Sequence, residues 1–136
     1  MSNKLTEAKR KTILIVDDEP TARTLLRLIL VRAEYTVVEA TDGYEALKKL
    51  GETAVDLVLL DVMMPGMDGI EVCQKIRAAE KTAVVPVLLL SAKTDVLSIR
   101  RGLSAGANQY LTKPIAPDLL LTHMKESLNG LAGENG

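Results

Sequence analysis

Residues 57–69 read Leu57-Val58-Leu59-Leu60-Asp61-Val62-Met63-Met64-Pro65-Gly66-Met67-Asp68-Gly69, and three kinds of local structure follow one another within them. Leu57 to Leu60 form an unbroken aliphatic run, the pattern of a strand buried on both faces rather than the alternation of a half-exposed one. Asp61 closes the run, and Pro65-Gly66 supplies loop chemistry. Asp68 stands where its carboxylate caps a helix predicted from about Asp68 to Ala79. Strand, loop and helix in this order make one half of a parallel crossover unit.

The same order recurs outward in both directions. On the N-terminal side, Ile13-Leu14-Ile15-Val16 is a buried strand. Ala22, Leu25, Leu26, Ile29 and Leu30 then mark one face of a helix, with Arg23 and Arg27 off it. Tyr35 to Val38 reads as a second strand, and Gly43 to Leu50 as a short helix ended by Gly51. On the C-terminal side, Val87 to Leu90 is a fourth strand. A helix runs from about Asp95 to Leu103 and ends in Ser104-Ala105-Gly106. Gln109 to Leu111 is a fifth strand, and Pro117 opens a last helix whose inward face is Leu120, Leu121, Met124 and Leu128. Five strands separated by helices imply right-handed crossovers. The expected fold is α/β: a doubly wound five-stranded parallel sheet, five helices on two faces, and flavodoxin-like strand order 2-1-3-4-5.

With 136 residues the chain suits one domain. The body is expected over residues 11–129, with an N-terminal tail at 1–10 and a C-terminal tail or truncated linker at 130–136. Hydrophobic residues make up 47% and charged residues 26%, an ordinary globular profile. A net charge of -1 gives no reason to expect direct contact with nucleic acid or a membrane surface. The single cysteine, Cys73, excludes an internal disulfide and multi-cysteine metal sites. No apolar run follows the charged N-terminus, and none is long enough to span a bilayer, so a cytoplasmic location is expected.

Ligands of open α/β sheets bind beyond the C-terminal ends of the strands. The first strand is followed there by Asp17, Asp18 and Glu19, the third by Asp61, the fourth by Ser91, and the fifth by Lys113 before Pro114. Singly, each has a plainer reading as a turn former, a helix cap or a solvated charge. Together they are harder to dismiss. At about 5 Å and an effective dielectric of about 20, two carboxylates repel by roughly 3 kcal/mol. Lys113 offers one compensating charge, and Mg²⁺ with oxygen ligands offers two. A carboxylate beside such a cation, an ammonium and a hydroxyl is equipped to accept a phosphoryl group. The acyl phosphate formed would carry close to two negative charges where one stood before.

Four blocks now carry a resemblance: Ile13 to Pro20, Leu59 to Gly69, Pro86 to Lys93, and Gly106 to Pro114. Over roughly residues 11 to 129 the chain resembles the receiver domain of two-component response regulators. The resemblance implies that Asp61 is the phosphoacceptor, that Asp18 coordinates Mg²⁺ directly and Asp17 through water, and that the Met63 carbonyl is a further ligand. It implies that Lys113 pairs with phosphoryl oxygens, its bond to Pro114 being cis. Ser91 would hydrogen-bond the phosphoryl group, and Tyr110 would be the switch aromatic that turns inward as Ser91 moves. Met63 and Lys93 would flank the site and shape water's access to it. The departures are mild: Ser91 stands where Thr is equally common, and Asn108-Gln109 replaces residues often acidic.

The function so implied is a phosphorylation-controlled switch, not an enzyme beyond its own self-catalysed phosphotransfer and dephosphorylation. It would take phosphate from a sensor histidine kinase or phosphotransfer protein. Its altered surface would be the fourth helix, fifth strand and fifth helix, read by an output domain, an effector or a second copy in a phosphorylation-dependent homodimer. The competing reading is a Mg²⁺-dependent aspartyl-phosphate phosphatase. Such enzymes usually carry a second Asp two residues after the nucleophile, where this chain has Met63. A dinucleotide-binding enzyme is weaker, since no Gly-rich turn follows the first strand.

The remaining conspicuous residues have plainer readings. Cys73 is expected in the core, Met63, Met64 and Met67 in loop packing, and Lys9-Arg10-Lys11 in a solvated tail. His123 is expected to be solvated, with nothing pairing it locally. Arg100-Arg101 lie on the fourth helix, within the expected signalling face.

Overall fold

Every strand of the sheet runs parallel to its neighbours, in the order β2-β1-β3-β4-β5. The computed structural model describes residues 10–130. Along the chain the elements are β1 (Thr12–Val16), α1 (Pro20–Arg32), β2 (Thr36–Ala40), α2 (Gly43–Glu52), β3 (Leu57–Asp61) and α3 (Gly69–Ala78). They continue with a 3-10 turn (Glu80–Thr82), β4 (Val87–Ser91), α4 (Val96–Ser104), β5 (Gln109–Thr112) and α5 (Pro117–Leu128). This is the expected fold and strand order. The two predicted tails lie almost wholly outside the described residues, as does Lys9.

The unbroken aliphatic runs of β3 and β4 are buried on both faces because helices cover the sheet on each side. Ile13, Ile15, Leu57, Leu59, Leu88 and Leu90 pack under α1 and α5, through Leu30, Leu120 and Met124. Leu14, Val16, Val58, Leu60, Val87 and Leu89 pack under α2, α3 and α4, and Cys73 lies wholly within this second core. Each fully buried aliphatic side chain contributes about 1.5–3 kcal/mol before conformational entropy is counted. Glu19, Asp42, Asp68 and Asp95 cap four of the helices by accepting from Ala22, Glu45, Glu71 and Ser98 N–H, each cap contributing about 1 kcal/mol.

Three local expectations change. Gly51 does not end α2: the helix continues to Glu52, and Thr53 N–H closes it on the Lys49 carbonyl. Leu25 is not on the inward face of α1; it is 59% exposed, while Leu26 and Ile29 pack against the core beside the fully buried Leu30. The turn at Glu80–Thr82 was not expected. It is held by the Thr82 hydroxyl donating to the Ile76 carbonyl.

The end of α3 that faces β3 is fixed by a close approach. A Cβ at Gly69 would overlap the Asp61 carbonyl oxygen and stand 2.8 Å from Val62 Cα. Only glycine lets the helix begin there, one step from the end of the strand.

Candidate functional site

The C-terminal edge of the sheet gathers the predicted charges. Asp17 and Asp61 are 2% and 5% exposed, while Asp18 reaches solvent. One carboxylate oxygen from each of the three lies within 4.8 Å of the other two. Lys113 Nζ is 3.0 Å from Asp61 Oδ1 and 3.3 Å from Asp17 Oδ2. The lysine is placed by its own backbone: Lys113 N–H donates to the Ser91 carbonyl at 2.8 Å, and the Lys113–Pro114 bond is cis.

Asp17 is held on three sides. Its Oδ1 accepts from Glu19 N–H at 2.9 Å, its Oδ2 faces Lys113, and its main-chain carbonyl accepts from Arg23 Nη1 at 2.8 Å. Arg23 is itself fixed by Glu39, whose second oxygen pairs with Arg27. Arg23 was not singled out from the sequence. Its role depends on β1 and β2 lying in register with Ile15 beside Glu39, which no spacing along the chain reveals.

Burial pushes the Asp61 carboxyl above the ordinary carboxylate value, and the charges of Asp17 and Asp18 push the same way, against the pull of Lys113. Burial draws Lys113 down, but its hydrogen bond to Asp61 and the charges of Asp61 and Asp17 leave it above its ordinary value. Two buried carboxylates thus share one ammonium, with the Asp18 carboxylate beside them. Among the described residues the cluster is three carboxylates with no cysteine or histidine in it, a donor set that fits a hard divalent cation such as Mg²⁺ rather than a soft metal.

The other site residues sit on or beside β4 and β5. Ser91 is fully buried, and its Oγ accepts from Lys93 N–H at 3.1 Å. Tyr110 is half-buried against the core of α2, α3 and α4, and its hydroxyl donates to the Lys93 carbonyl at 2.9 Å. Lys93 therefore joins the two hydroxyls through its backbone. Met63 is 54% exposed, whereas Met64 and Met67 are buried in loop packing. Met63 and Lys93 line a cleft of about 440 Å³ between the loop after β3 and α4.

Several secondary expectations are now placed. Asn108 Oδ1 accepts from Arg77 Nη2 and Val87 N–H, and Gln109 Nε2 donates to the His123 carbonyl and Ser127 Oγ, so one end of each amide is engaged within the molecule. His123 is partly buried, and its Nδ1 has no hydrogen-bond partner, the Glu126 carboxylate lying 3.5 Å away one helical turn on. Arg100 and Arg101 are exposed on α4.

A family profile described as the response regulator receiver domain matches residues 13–125. The alkaline phosphatase synthesis transcriptional regulatory protein PhoP of Bacillus subtilis is 47% identical over 107 residues, covering 79% of this chain and 44% of that protein. ResD of the same organism, a transcriptional regulatory protein, is 44% identical, covering 85% and 47%. The DNA-binding response regulator MtrA of Mycobacterium tuberculosis is 38% identical, covering 90% and 52%. The chain spans about half the length of these relatives. Among solved structures, the Vibrio cholerae chemotaxis protein CheY4 superposes with a TM-score of 0.83 at 32% identity, covering 86% of this chain and 98% of that one. The receiver domain of a Syntrophus aciditrophicus signal transduction histidine kinase gives 0.83 at 36% identity, covering 89% and 92%. The expectation of no direct nucleic-acid contact finds no support in relatives named for DNA binding. Among the described residues no helix is long and apolar enough to cross a membrane.

Proposed function

The chain belongs to the response regulator receiver family, and on that premise we propose that it is a signalling switch thrown by phosphorylation of Asp61. The donor is the phosphohistidine of a sensor kinase or phosphotransfer protein. The observation that carries the reading is Lys113, held 3.0 Å from a buried Asp61 inside a cluster of carboxylates.

In the transfer, an Asp61 oxygen forms the new bond to phosphorus while the bond to the donor imidazole nitrogen breaks, and the imidazole leaves as the neutral base after taking a proton. Lys113 sits beside Oδ1, and the two Asp61 oxygens divide between the incoming phosphorus and the proposed cation. Asp18, Asp61 and the Met63 carbonyl are the proposed holders of Mg²⁺, with Asp17 acting through water because both of its oxygens already accept hydrogen bonds. When bound, the ion supplies charge neutralisation at the phosphoryl oxygens. Lys113 follows those oxygens as an ammonium donor. The Ser91 hydroxyl accepts from Lys93 and still has its own proton to donate. Charge-assisted hydrogen bonds of this kind are each about 1.5–3 kcal/mol, so a few of them approach the roughly 5 kcal/mol that reverses a two-state equilibrium.

The readout is proposed at α4, β5 and α5, reached from Ser91 through Lys93 and Tyr110. An output domain, an effector protein or a second phosphorylated copy would bind there. A phosphatase of the aspartyl-phosphate type is not favoured, because two residues beyond Asp61 the chain carries Met63 and no acid.

The test is intact mass after incubation with acetyl phosphate and Mg²⁺. One added phosphoryl group is expected, absent in Asp61→Asn and absent with EDTA. An adduct that persists in Asp61→Asn would overturn the assignment.

A further inference from the structure

Gly102 is the one buried residue of α4. Glycine is among the poorest residues for a helix interior, so its place facing β4 and β5 needs a cause. A Cβ at Gly102 would stand 2.7 Å from Leu89 Cδ1 and 2.9 Å from Tyr110 Cδ2, well inside the roughly 3.5–4.0 Å at which carbon atoms pack. Leu89 lies at the centre of the core with no exposed surface. Tyr110 is on the edge strand β5 and half-buried. Of the two, only the tyrosine ring has a route out, by rotating about χ1 toward solvent. The missing side chain at 102 is therefore what leaves room for the ring.

The ring's position has a polar consequence. From there the Tyr110 hydroxyl reaches the Lys93 carbonyl at 2.9 Å, and Lys93 N–H reaches Ser91 Oγ at 3.1 Å. Ser91 follows Leu90, the residue in register with Asp61 on the neighbouring strand. Gly102, Tyr110, Lys93 and Ser91 thus form one continuous series of contacts between α4 and the reactive edge.

We propose that Gly102 is a positioning residue for Tyr110: its lack of a side chain holds the ring against α4 and so couples that helix to the Ser91 hydroxyl. This rests on the reading of Asp61 and Ser91 given above. A methyl group at 102 turns the ring outward and breaks the Tyr110–Lys93 bond. It leaves Asp61, Lys113 and the carboxylate cluster untouched.

The chain contains three tyrosines, Tyr35, Tyr44 and Tyr110, so 3-fluorotyrosine labelling gives three fluorine resonances, with Tyr110 assigned by its loss in Tyr110→Phe. In Gly102→Ala the Tyr110 resonance is expected to move to the position it takes in urea, while acetyl phosphate still loads Asp61 at the wild-type rate. A Tyr110 resonance unchanged by Gly102→Ala would mean that α4 yields rather than the ring, and would overturn the proposal. A double-mutant cycle decides the case even where the single variant folds poorly. Beside Tyr110, Gly102→Ala is expected to raise the unfolding equilibrium constant about tenfold or more. In a Tyr110→Ala background the same change is expected to cost markedly less, because the space the ring vacates lets Leu89 Cδ1 move away from the new methyl group. Equal destabilisation in both backgrounds would overturn the proposal. Failure of the wild type to take up phosphate would count against the function proposed above, while the resonance and the cycle would still decide the role of Gly102.

Discussion

Arg23 reaches back across the first turns of α1 to donate to the Asp17 main-chain carbonyl at 2.8 Å, fixing the turn that carries Asp17 and Asp18. The arginine is 17% exposed and its charge is shared with Glu39, so the bond is largely shielded from water. Arg23→Leu is expected to keep the fold, since Arg27 still pairs Glu39. It should cost about 1.5–3 kcal/mol in urea unfolding, the range for a hydrogen bond to a charged group. It should also weaken Mg²⁺ binding about tenfold by calorimetric titration, as loss of an outer partner of a metal ligand does. Unchanged Mg²⁺ affinity would show that the turn holds its shape without the arginine.

Like charges at the site set function against stability. Asp61→Asn removes the repulsion with Asp17 and Asp18, whose oxygens lie within 4.8 Å, and also removes the attraction to Lys113. With EDTA present, the variant is expected to be more stable than the wild type by about 1 kcal/mol, the usual scale for relieving a strained functional site. Saturating Mg²⁺ stabilises the form that binds it more tightly, so the gap should close when the ion is added. A gap of the same size with and without Mg²⁺ would show that Asp61 takes no part in holding the cation.

Cys73 supplies a pH dependence away from the site. Burial pushes its thiol up, and nearby Arg77 only partly opposes this. A raised thiol favours the folded chain while protonated. That contribution is whole below the ordinary thiol value of about 8.5 and is lost as pH rises through it toward the folded value. Relative to Cys73→Ala, the wild type should lose urea stability steadily above about pH 8.5. A thiol reagent at neutral pH should label the wild type only as fast as it unfolds. Immediate labelling of the native chain would contradict the burial.

Much of the fold was legible because parallel strands covered on both faces must be written as unbroken aliphatic runs, as Leu57–Leu60 and Val87–Leu90 are. The charged site was legible for a related reason: the same edge receives the end of every strand, so Asp17, Asp61, Ser91 and Lys113 announce themselves by following apolar runs. What stayed hidden depends on contacts between elements. Arg23 gains its role from Glu39 through strand register. Leu25 is 59% exposed although helical periodicity groups it with the buried Leu30. Gly102 looks like any weak helix residue until the Tyr110 ring, eight positions later, is laid beside it. The His123–Glu126 approach, by contrast, follows from a spacing of three on a helix and was available to be read.

Lys113 meets Asp17 across 96 residues of sequence and Asp61 across 52. During synthesis the ribosome therefore delivers both aspartates long before the ammonium that joins them. Until β5 has emerged and docked on β4, neither Lys113 nor the Tyr110 link to Ser91 is in place beside Asp61. The cluster of Asp17, Asp61 and Lys113 is complete only once β5 is in place. On the proposed reading, a nascent or prematurely ended chain lacks the ammonium that phosphate loading at Asp61 calls for.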